Sequence, residues 1–215
     1  MIYSRRERKD AMIVLCSDGL SSQRLVAELQ KFMQNKQTAA LVVTADPVYK
    51  DHNYHVPRCL EELQSLGLAT TLFDLDVQPA ELLRNYDVVE FIGGNPFYLL
   101  DSIRQHNACK ILKEIADQQI LIGWSAAAFV FGPTLHLVNK YSPEMNFLGL
   151  TDLTGLSLTS VEVLPHYSRF LKKFTHFEEI CQTYEVQNNT QVVRLNDGDG
   201  VIIQGNQTSI LRKEQ

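Results

Sequence analysis

Short apolar runs alternate with amphipathic stretches up to about residue 132. The run Met12–Cys16 is uniformly apolar, and Ser22–Met33 after it carries leucines at helical spacing. Further strands are predicted at Ala40–Thr44, Thr70–Asp74, Val88–Ile92 and Ile120–Gly123, and helices at Val56–Leu66, Pro79–Tyr86, Phe97–His106 and Cys109–Gln118. Short apolar strands separated by helices are typical of a parallel sheet covered on both faces. The pattern therefore predicts an α/β fold, a three-layer α/β/α sandwich with a mostly parallel sheet.

The pattern changes after Gly132. A loop-rich stretch, residues 133–160, precedes a predicted strand at Ser160–Leu164 and one long helix at Phe170–Val186. Three more strands are predicted at Gln191–Leu195, Val201–Gln204 and Ser209–Arg212. The turn Asn196–Gly200 contains Asp-Gly, which favours a hairpin between its flanking strands. No linker or repeat interrupts the chain, so we expect one domain over residues 1–215, with residues 1–11 as a flexible tail.

The composition and net charge limit the kinds of partner that the protein is expected to bind. Of 215 residues, 45% are hydrophobic and 21% charged, as in ordinary globular proteins. The net charge of -5 argues against nucleic acid as a partner, and no apolar run approaches the roughly 20 residues of a membrane span. The four cysteines lack zinc-site spacing, which indicates reduced thiols in the cytoplasm and implies neither metal nor cofactor.

The first candidate for chemistry is the segment Gly123–Ala127. A predicted strand runs into Ser125, and the small residues after it suit a sharp strand–turn–helix connection. Ligands gather at the carboxyl ends of parallel strands, where this serine is expected. Ser125 is therefore a candidate nucleophile, and the alternative is a serine that only caps a buried helix.

Two other segments follow predicted strands. Gly93 and Gly94 precede a predicted helix whose N-cap is Asn95, so their backbone N–H groups suit an anion or an oxyanion. His166 follows a later strand and is a candidate general base. A tight turn without a ligand and a structural histidine are the alternatives. We expect all three motifs at the same edge of one sheet.

Together these segments resemble a known family. Gly93–Leu100, Gly123–Ala128 and Pro165–Tyr167 are similar to motifs of the dipeptidase E and cyanophycinase family of serine peptidases. The resemblance implies a flavodoxin-like fold related to class I glutamine amidotransferases. It also implies Ser125 as nucleophile, His166 as base, and an oxyanion hole formed by the N–H groups of Gly94 and Ala126.

The third member of the triad departs from the family pattern. Counting forward from Ser125 to the offset of the aspartyl dipeptidase branch gives Asn139 and Lys140 rather than an acid. The offset of the cyanophycinase branch comes within one residue of Glu144, which we expect to orient His166, with Asp152 as the fallback. A further departure is Ala127, where the family has glycine.

The sequence thus predicts a serine hydrolase that cleaves small peptides, a dipeptidase or exopeptidase that could be directed to Asp, through an acyl-enzyme. His136, Lys140 and Arg169 are near enough in sequence to meet a substrate carboxylate. An esterase or amidase on a non-peptide substrate would use the same groups. A degenerate member that binds a small ligand without turnover is the third hypothesis, and a homodimer is left open.

Overall fold

A computed structural model describes residues 11–214, so the predicted tail at residues 1–11 lies almost wholly outside the described residues. The strands are β1 (Met12–Cys16), β2 (Thr38–Val42), β3 (Ala69–Phe73), β4 (Val88–Phe91), β5 (Ile120–Trp124), β6 (Glu162–Leu164), β7 (Val192–Arg194), β8 (Gly200–Gln204) and β9 (Gln207–Leu211). The helices are α1 (Gln23–Gln30), α2 (Val56–Ser65), α3 (Pro96–Gln105), α4 (Cys109–Ala116), α5 (Ala126–Phe131), α6 (His136–Tyr141), α7 (Tyr167–Lys173) and α8 (Phe177–Asn188), with 3₁₀ turns at Lys50–His52, Ala80–Asn85 and Pro143–Met145.

The main sheet has seven strands in the order β3-β2-β4-β5-β1-β8-β9. The first five in this order pair in parallel, whereas β8 is antiparallel to β1 and β9 is antiparallel to β8. The strands β1, β4 and β5 are buried along their whole length, as expected for strands covered on both faces.

Two apolar cores lie on the two faces of the sheet. One contains Val14, Cys16 and Ile122 together with the inward residues of α1 and α2. The other contains Leu15 and Leu121 with inward residues of α3, α4, α5, α6 and α8. Alternate residues of each strand thus enter opposite cores. The predicted three-layer α/β/α sandwich is confirmed.

Three expectations about the C-terminal part were wrong. The strand β6 pairs with β7 in a separate two-stranded sheet, so the motif at His166 does not follow a strand of the main sheet. No hairpin spans residues 196–200, because β8 pairs with β1 and β9; the hairpin turn lies between β8 and β9. The long helix predicted at Phe170–Val186 is two helices, because Phe174 is extended and His176 left-handed.

An aromatic cluster accounts for that break. The rings of Tyr141, Phe170, Phe174 and Phe177 pack with centroids 5.1–5.7 Å apart, which requires α7 and α8 to turn around α6. The helix α6 itself was not expected, since its six residues fall in the stretch assigned to loops. Within residues 11–214, no helix is long and apolar enough to cross a membrane.

Candidate active site

Ser125 lies at a sharp turn between β5 and α5. Its backbone has φ 52° and ψ −109°, a conformation that non-glycine residues rarely adopt. The N–H group of Ser125 donates to the carbonyl of Cys16 at 3.1 Å, which ties the turn to the end of β1. Gly123 is needed next to it, because a Cβ there would lie 2.5 Å from the ring of Phe131. The turn therefore presents a half-buried serine at the carboxyl end of the sheet.

His166 reaches the serine from the smaller sheet. It follows β6 in the left-handed conformation, with φ 56° and ψ 27°, and its N–H group donates to Ser17 Oγ at 2.8 Å. Its Nε2 lies 2.9 Å from Ser125 Oγ. The strained backbone is thus stabilised by a side chain at the end of β1, and the imidazole is set for proton exchange with the serine.

The other imidazole nitrogen faces Asp197. His166 Nδ1 lies 2.7 Å from Asp197 Oδ1, and Ser17 Oγ donates to the same oxygen at 3.1 Å. The guanidinium of Arg169 pairs with Asp197 Oδ2. Burial opposes ionisation of this carboxyl, but the hydrogen bond from His166 and the charge of Arg169 lower its pKa below the ordinary value. Asp197 is therefore a carboxylate. It accepts a hydrogen bond from Nδ1–H, which leaves Nε2 free of a proton and able to accept a hydrogen bond from the Ser125 hydroxyl.

The glycine turn after β4 lies beside the serine. A Cβ at Gly93 would approach Ser125 Cβ to 3.0 Å, and one at Gly94 would come within 2.3 Å of the Ala45 carbonyl oxygen. Asn95 caps α3 through its side chain, and its amide nitrogen donates to the carbonyl of Met145 at 2.8 Å. Only glycines fit at these two positions, because Gly93 packs against Ser125 and Gly94 packs against the Ala45 carbonyl.

A family model described as peptidase family S51 matches residues 13–211. The chain belongs to this family. An uncharacterized peptidase of Listeria monocytogenes is 30% identical over a 190-residue alignment that covers 84% of this S51 peptidase and 88% of the relative. Peptidase E of Shewanella denitrificans is 24% identical over 174 residues, 74% of this chain and 72% of the relative. The sequence-based assignment to the dipeptidase E family is confirmed.

A solved structure agrees with this assignment. The crystal structure of a candidate peptidase E protein from Listeria monocytogenes matches the S51 peptidase with a TM-score of 0.74 and 26% identity. The match covers 94% of this chain and 98% of the other. A peptidase from an acI-B1 Actinobacterium, 14% identical with a TM-score of 0.66, shows the same fold.

The geometry of this peptidase corrects the expectation that Glu144 orients His166. Glu144 lies exposed in the turn Pro143–Met145, which Asn95 holds beside the glycine turn, whereas Nδ1 of His166 faces Asp197. The fallback, Asp152, pairs instead with Arg104 at 3.0 Å. The expected acids follow the serine in sequence, but the carboxylate that contacts the histidine follows the histidine.

Ala127 fits this S51 peptidase without crowding the nucleophile. The residue is fully buried in α5, and a Cβ at Gly123 would lie 3.1 Å from the Ala127 methyl. The methyl thus faces β5 at Gly123, one residue before Trp124, and fills space that the missing side chain of Gly123 leaves.

The three cations considered for a substrate carboxylate differ in position. Arg169 pairs with Asp197 and lies 3.9 Å from Asp18, so it contacts the site through its acids. Lys140 donates to Gln187 at 3.0 Å, and His136 is exposed at the start of α6. Sequence reasoning missed Asp197 and Ser17; the available signal was an acidic turn that leads back to a strand beside β1.

Proposed function

We propose that this peptidase is a serine peptidase that cleaves small peptides with Ser125, His166 and Asp197 as its catalytic triad. The observation that carries the proposal is the continuous hydrogen-bond chain from Asp197 through His166 to Ser125, with distances of 2.7 Å and 2.9 Å. Nucleophile, base and orienting acid in this order form the arrangement that activates serine in acyl transfer.

Each group has a distinct part in the reaction. Ser125 Oγ attacks the carbonyl carbon of the scissile peptide bond, and His166 Nε2 takes its proton. Asp197 holds the tautomer with the proton on Nδ1 and stabilises the imidazolium that forms. The imidazolium then protonates the leaving amine, which gives an acyl-enzyme. Water hydrolyses this ester by the same route and regenerates the serine.

The oxyanion of the tetrahedral intermediate needs donors that are fixed in advance. We assign this role to the N–H groups of Gly94 and Ala126. Ala126 begins α5, where the first N–H groups have no acceptor within the helix. Gly94 lies in the turn that packs against Ser125. Such preorganised donors contribute about 3–4 kcal/mol each to transition-state stabilisation in acyl transfer.

The substrate class rests on the relatives named peptidase E and on the surroundings of the triad. Arg169 brings a guanidinium to the site, and 60% of its side chain is exposed. We therefore include an acidic first residue among the proposed substrates of this dipeptidase or exopeptidase. Peptides that begin with Asp, Asn or Leu separate charge preference from shape preference.

The competing hypotheses use the same residues. A degenerate binding protein is expected to have its histidine turned away from the serine, and the 2.9 Å separation of His166 from Ser125 favours catalysis instead. An esterase or amidase on a non-peptide substrate shares the mechanism, and differs by turning over small esters but no dipeptide.

Labelling with a fluorophosphonate, read by intact mass, tests the nucleophile. We expect one adduct on the wild type, none on Ser125→Ala, and a rate lower by orders of magnitude on His166→Ala. Ser168→Ala is the matched control, because only its backbone N–H group contacts the site region, through Asn196, and it should label normally. A folded wild type without an adduct contradicts the proposal. Labelling without dipeptide hydrolysis would point to the esterase or amidase.

A further inference from the structure

A second group of polar side chains lies within the core under α1 and α2. Glu90, in the middle of β4, pairs in register with Leu41 of β2 and Ile122 of β5, which belong to that apolar core. Its side chain points the same way and is 0% exposed. A carboxyl group in the centre of a parallel sheet is unusual, because such positions are almost always apolar.

The Glu90 carboxyl has no partner among the described residues in normal hydrogen-bond geometry to explain its burial, and the Trp124 indole, which lies near it, opposes the rise in its pKa only in part. Within residues 11–214, neither of its oxygens has a hydrogen-bond partner. Burial raises the pKa of Glu90 to about 8, and the negative charge of Glu62 adds to this effect. Buried polar groups in native proteins are nearly always paired, so this carboxyl calls for a ligand.

Two further ligand atoms face Glu90 from α2. Cys59 and Glu62 are three residues apart and so lie on one face of the helix. One atom from each, together with one oxygen of Glu90, forms a group whose members all lie within 4.8 Å of one another. Cys59 is buried and the side chain of Glu62 is 13% exposed.

We propose that Cys59, Glu62 and Glu90 bind a zinc ion. Zinc–sulfur bonds of about 2.3 Å and zinc–oxygen bonds of about 2.0–2.2 Å place ligand atoms roughly 3.5 Å apart in a tetrahedron. The ligand atoms therefore need to approach one another by at most about 1.3 Å. A water molecule completes the fourth position. The thiolate selects zinc over calcium and magnesium, which prefer larger sets of oxygen ligands.

The charges of the site balance around such an ion. A thiolate and two carboxylates carry three negative charges, which Zn²⁺ and the guanidinium of Arg58 neutralise. Arg58 Nη1 lies 3.0 Å from Glu62 Oε1, and the N–H group of Leu20 donates to Glu62 Oε2 at 3.1 Å. These contacts hold the Glu62 carboxylate in place and orient it toward the ion.

The ion would join α2 to β4 next to the strand that carries the nucleophile. Trp124, the single tryptophan, follows Ile122 by two residues on the same face of β5 and is 2% exposed. Its indole N–H group lies near the Glu90 carboxyl without a hydrogen bond in normal geometry, and the Arg58 guanidinium lies 5.5 Å from its ring. Its fluorescence therefore reports on the site directly.

The test uses the full chain, freed of any affinity tag and treated with a chelator. Zn²⁺ titrated at neutral pH should change Trp124 fluorescence and saturate at one equivalent, with an increase in Tm. Co²⁺ should give a thiolate charge-transfer band at the same stoichiometry. The absence of saturable binding of either ion to the folded wild type overturns the proposal.

Variants separate this site from adventitious binding. Cys59→Ser, Glu90→Gln and Glu62→Gln should each weaken Zn²⁺ binding at least 100-fold and abolish the increase in Tm. Any one of the three that keeps its far-ultraviolet circular dichroism is sufficient. Cys181→Ser removes another buried thiol and His166→Ala removes the active-site imidazole, and both should bind as the wild type does. One-equivalent binding that survives Cys59→Ser and Glu90→Gln, or that is lost in His166→Ala, overturns the proposal.

Discussion

Asp197 and Glu90 are two carboxyl groups near the same strand, β5, in opposite environments. One oxygen of Asp197 accepts hydrogen bonds from His166 Nδ1 and Ser17 Oγ, and the other forms an ion pair with Arg169. The pKa of Asp197 is lowered. Glu90 has no hydrogen-bond partner among the described residues, and its pKa is raised to about 8. Donors outweigh burial at Asp197, whereas burial prevails at Glu90, and this balance decides which carboxyl is ionised at neutral pH.

The two positions in the fold explain the two environments. Asp197 lies in a turn between the two sheets, where side chains from the end of β1 and from the start of α7 reach it. Glu90 lies in the interior of β4, where the neighbouring strands offer apolar side chains and use their own N–H groups in the sheet. An ionised acid therefore suits the first position, and the second stays neutral unless a cation occupies it.

The largest effect on catalysis is expected when the ionised Asp197 is replaced by a neutral residue. Asp197→Asn should lower kcat for a dipeptide about 10⁴-fold, because an amide can donate to Nδ1 and stabilise the wrong imidazole tautomer. Steady-state kinetics on the purified variant measures this. Glu144→Gln is the matched control and should leave kcat within about twofold. Equal losses in both variants would show that His166 depends on something other than the carboxylate that it contacts.

At Glu90, replacement of the acid by a neutral residue is expected to stabilise the protein. In chelator-treated protein at pH 7, Glu90→Gln should raise the free energy of unfolding by roughly 3 kcal/mol. The reason is that a carboxyl with a pKa near 8 when folded and near 4.5 when unfolded destabilises the fold as pH rises between those values. Urea unfolding at pH 4.5 and pH 7.5 measures it, and the difference between variant and wild type should be small at the lower pH.

One outcome would contradict the prediction for Glu90→Gln, and a second glutamate provides its control. Stabilisation of equal size at both pH values would mean that packing rather than ionisation distinguishes the variant. Glu162→Gln is the control, because Glu162 accepts hydrogen bonds from Tyr184 and Thr190 at 2.7 and 3.0 Å. Loss of a satisfied acceptor should destabilise the protein, so the two substitutions should have opposite signs.

A smaller effect is expected at Arg169, which acts through Asp197. Arg169→Leu should lower kcat for an uncharged peptide about tenfold, which corresponds to about 1.4 kcal/mol of lost support for the ionised acid. Arg169→Lys keeps the charge and should recover most of the rate. A loss in KM alone, confined to peptides with an acidic first residue, would instead assign Arg169 to substrate binding.

The sequence predicted the half of the site that local pattern specifies. Gly123 and Ser125 are recognisable because a strand–turn–helix connection with this curvature requires small neighbours, and Gly94 because a glycine pair there precedes the helix N-cap Asn95. Asp197 could not be found by counting from Ser125, because four helices and both strands of the smaller sheet lie between them in the sequence. Its acidic turn resembled a hairpin, although the strands on its two sides belong to different sheets.

Glu90 was hidden for a different reason. The strand Val88–Phe91 is apolar except at this position, and a single polar residue in a short strand does not change the prediction of a strand. Its partners Cys59 and Glu62 are on α2, about 30 positions earlier, so no zinc-site spacing appears in the sequence. Register between strands and the placement of α2 bring these residues together, and neither is contained in local pattern.

The smallest effect expected is the pH dependence of stability at Asp197. Because its folded pKa lies below the unfolded value near 3.8, Asp197 stabilises the fold above about pH 3.8, and this contribution is lost as pH falls through the folded value. The wild type should therefore exceed Asp197→Asn in stability at pH 7, and the difference should disappear at low pH. Asp51→Asn, at an exposed aspartate, is the control. Stability contributed by Asp197 thus rises with pH while that contributed by Glu90 falls, and parallel slopes for the two variants would refute the contrast between a paired and an unpaired carboxyl.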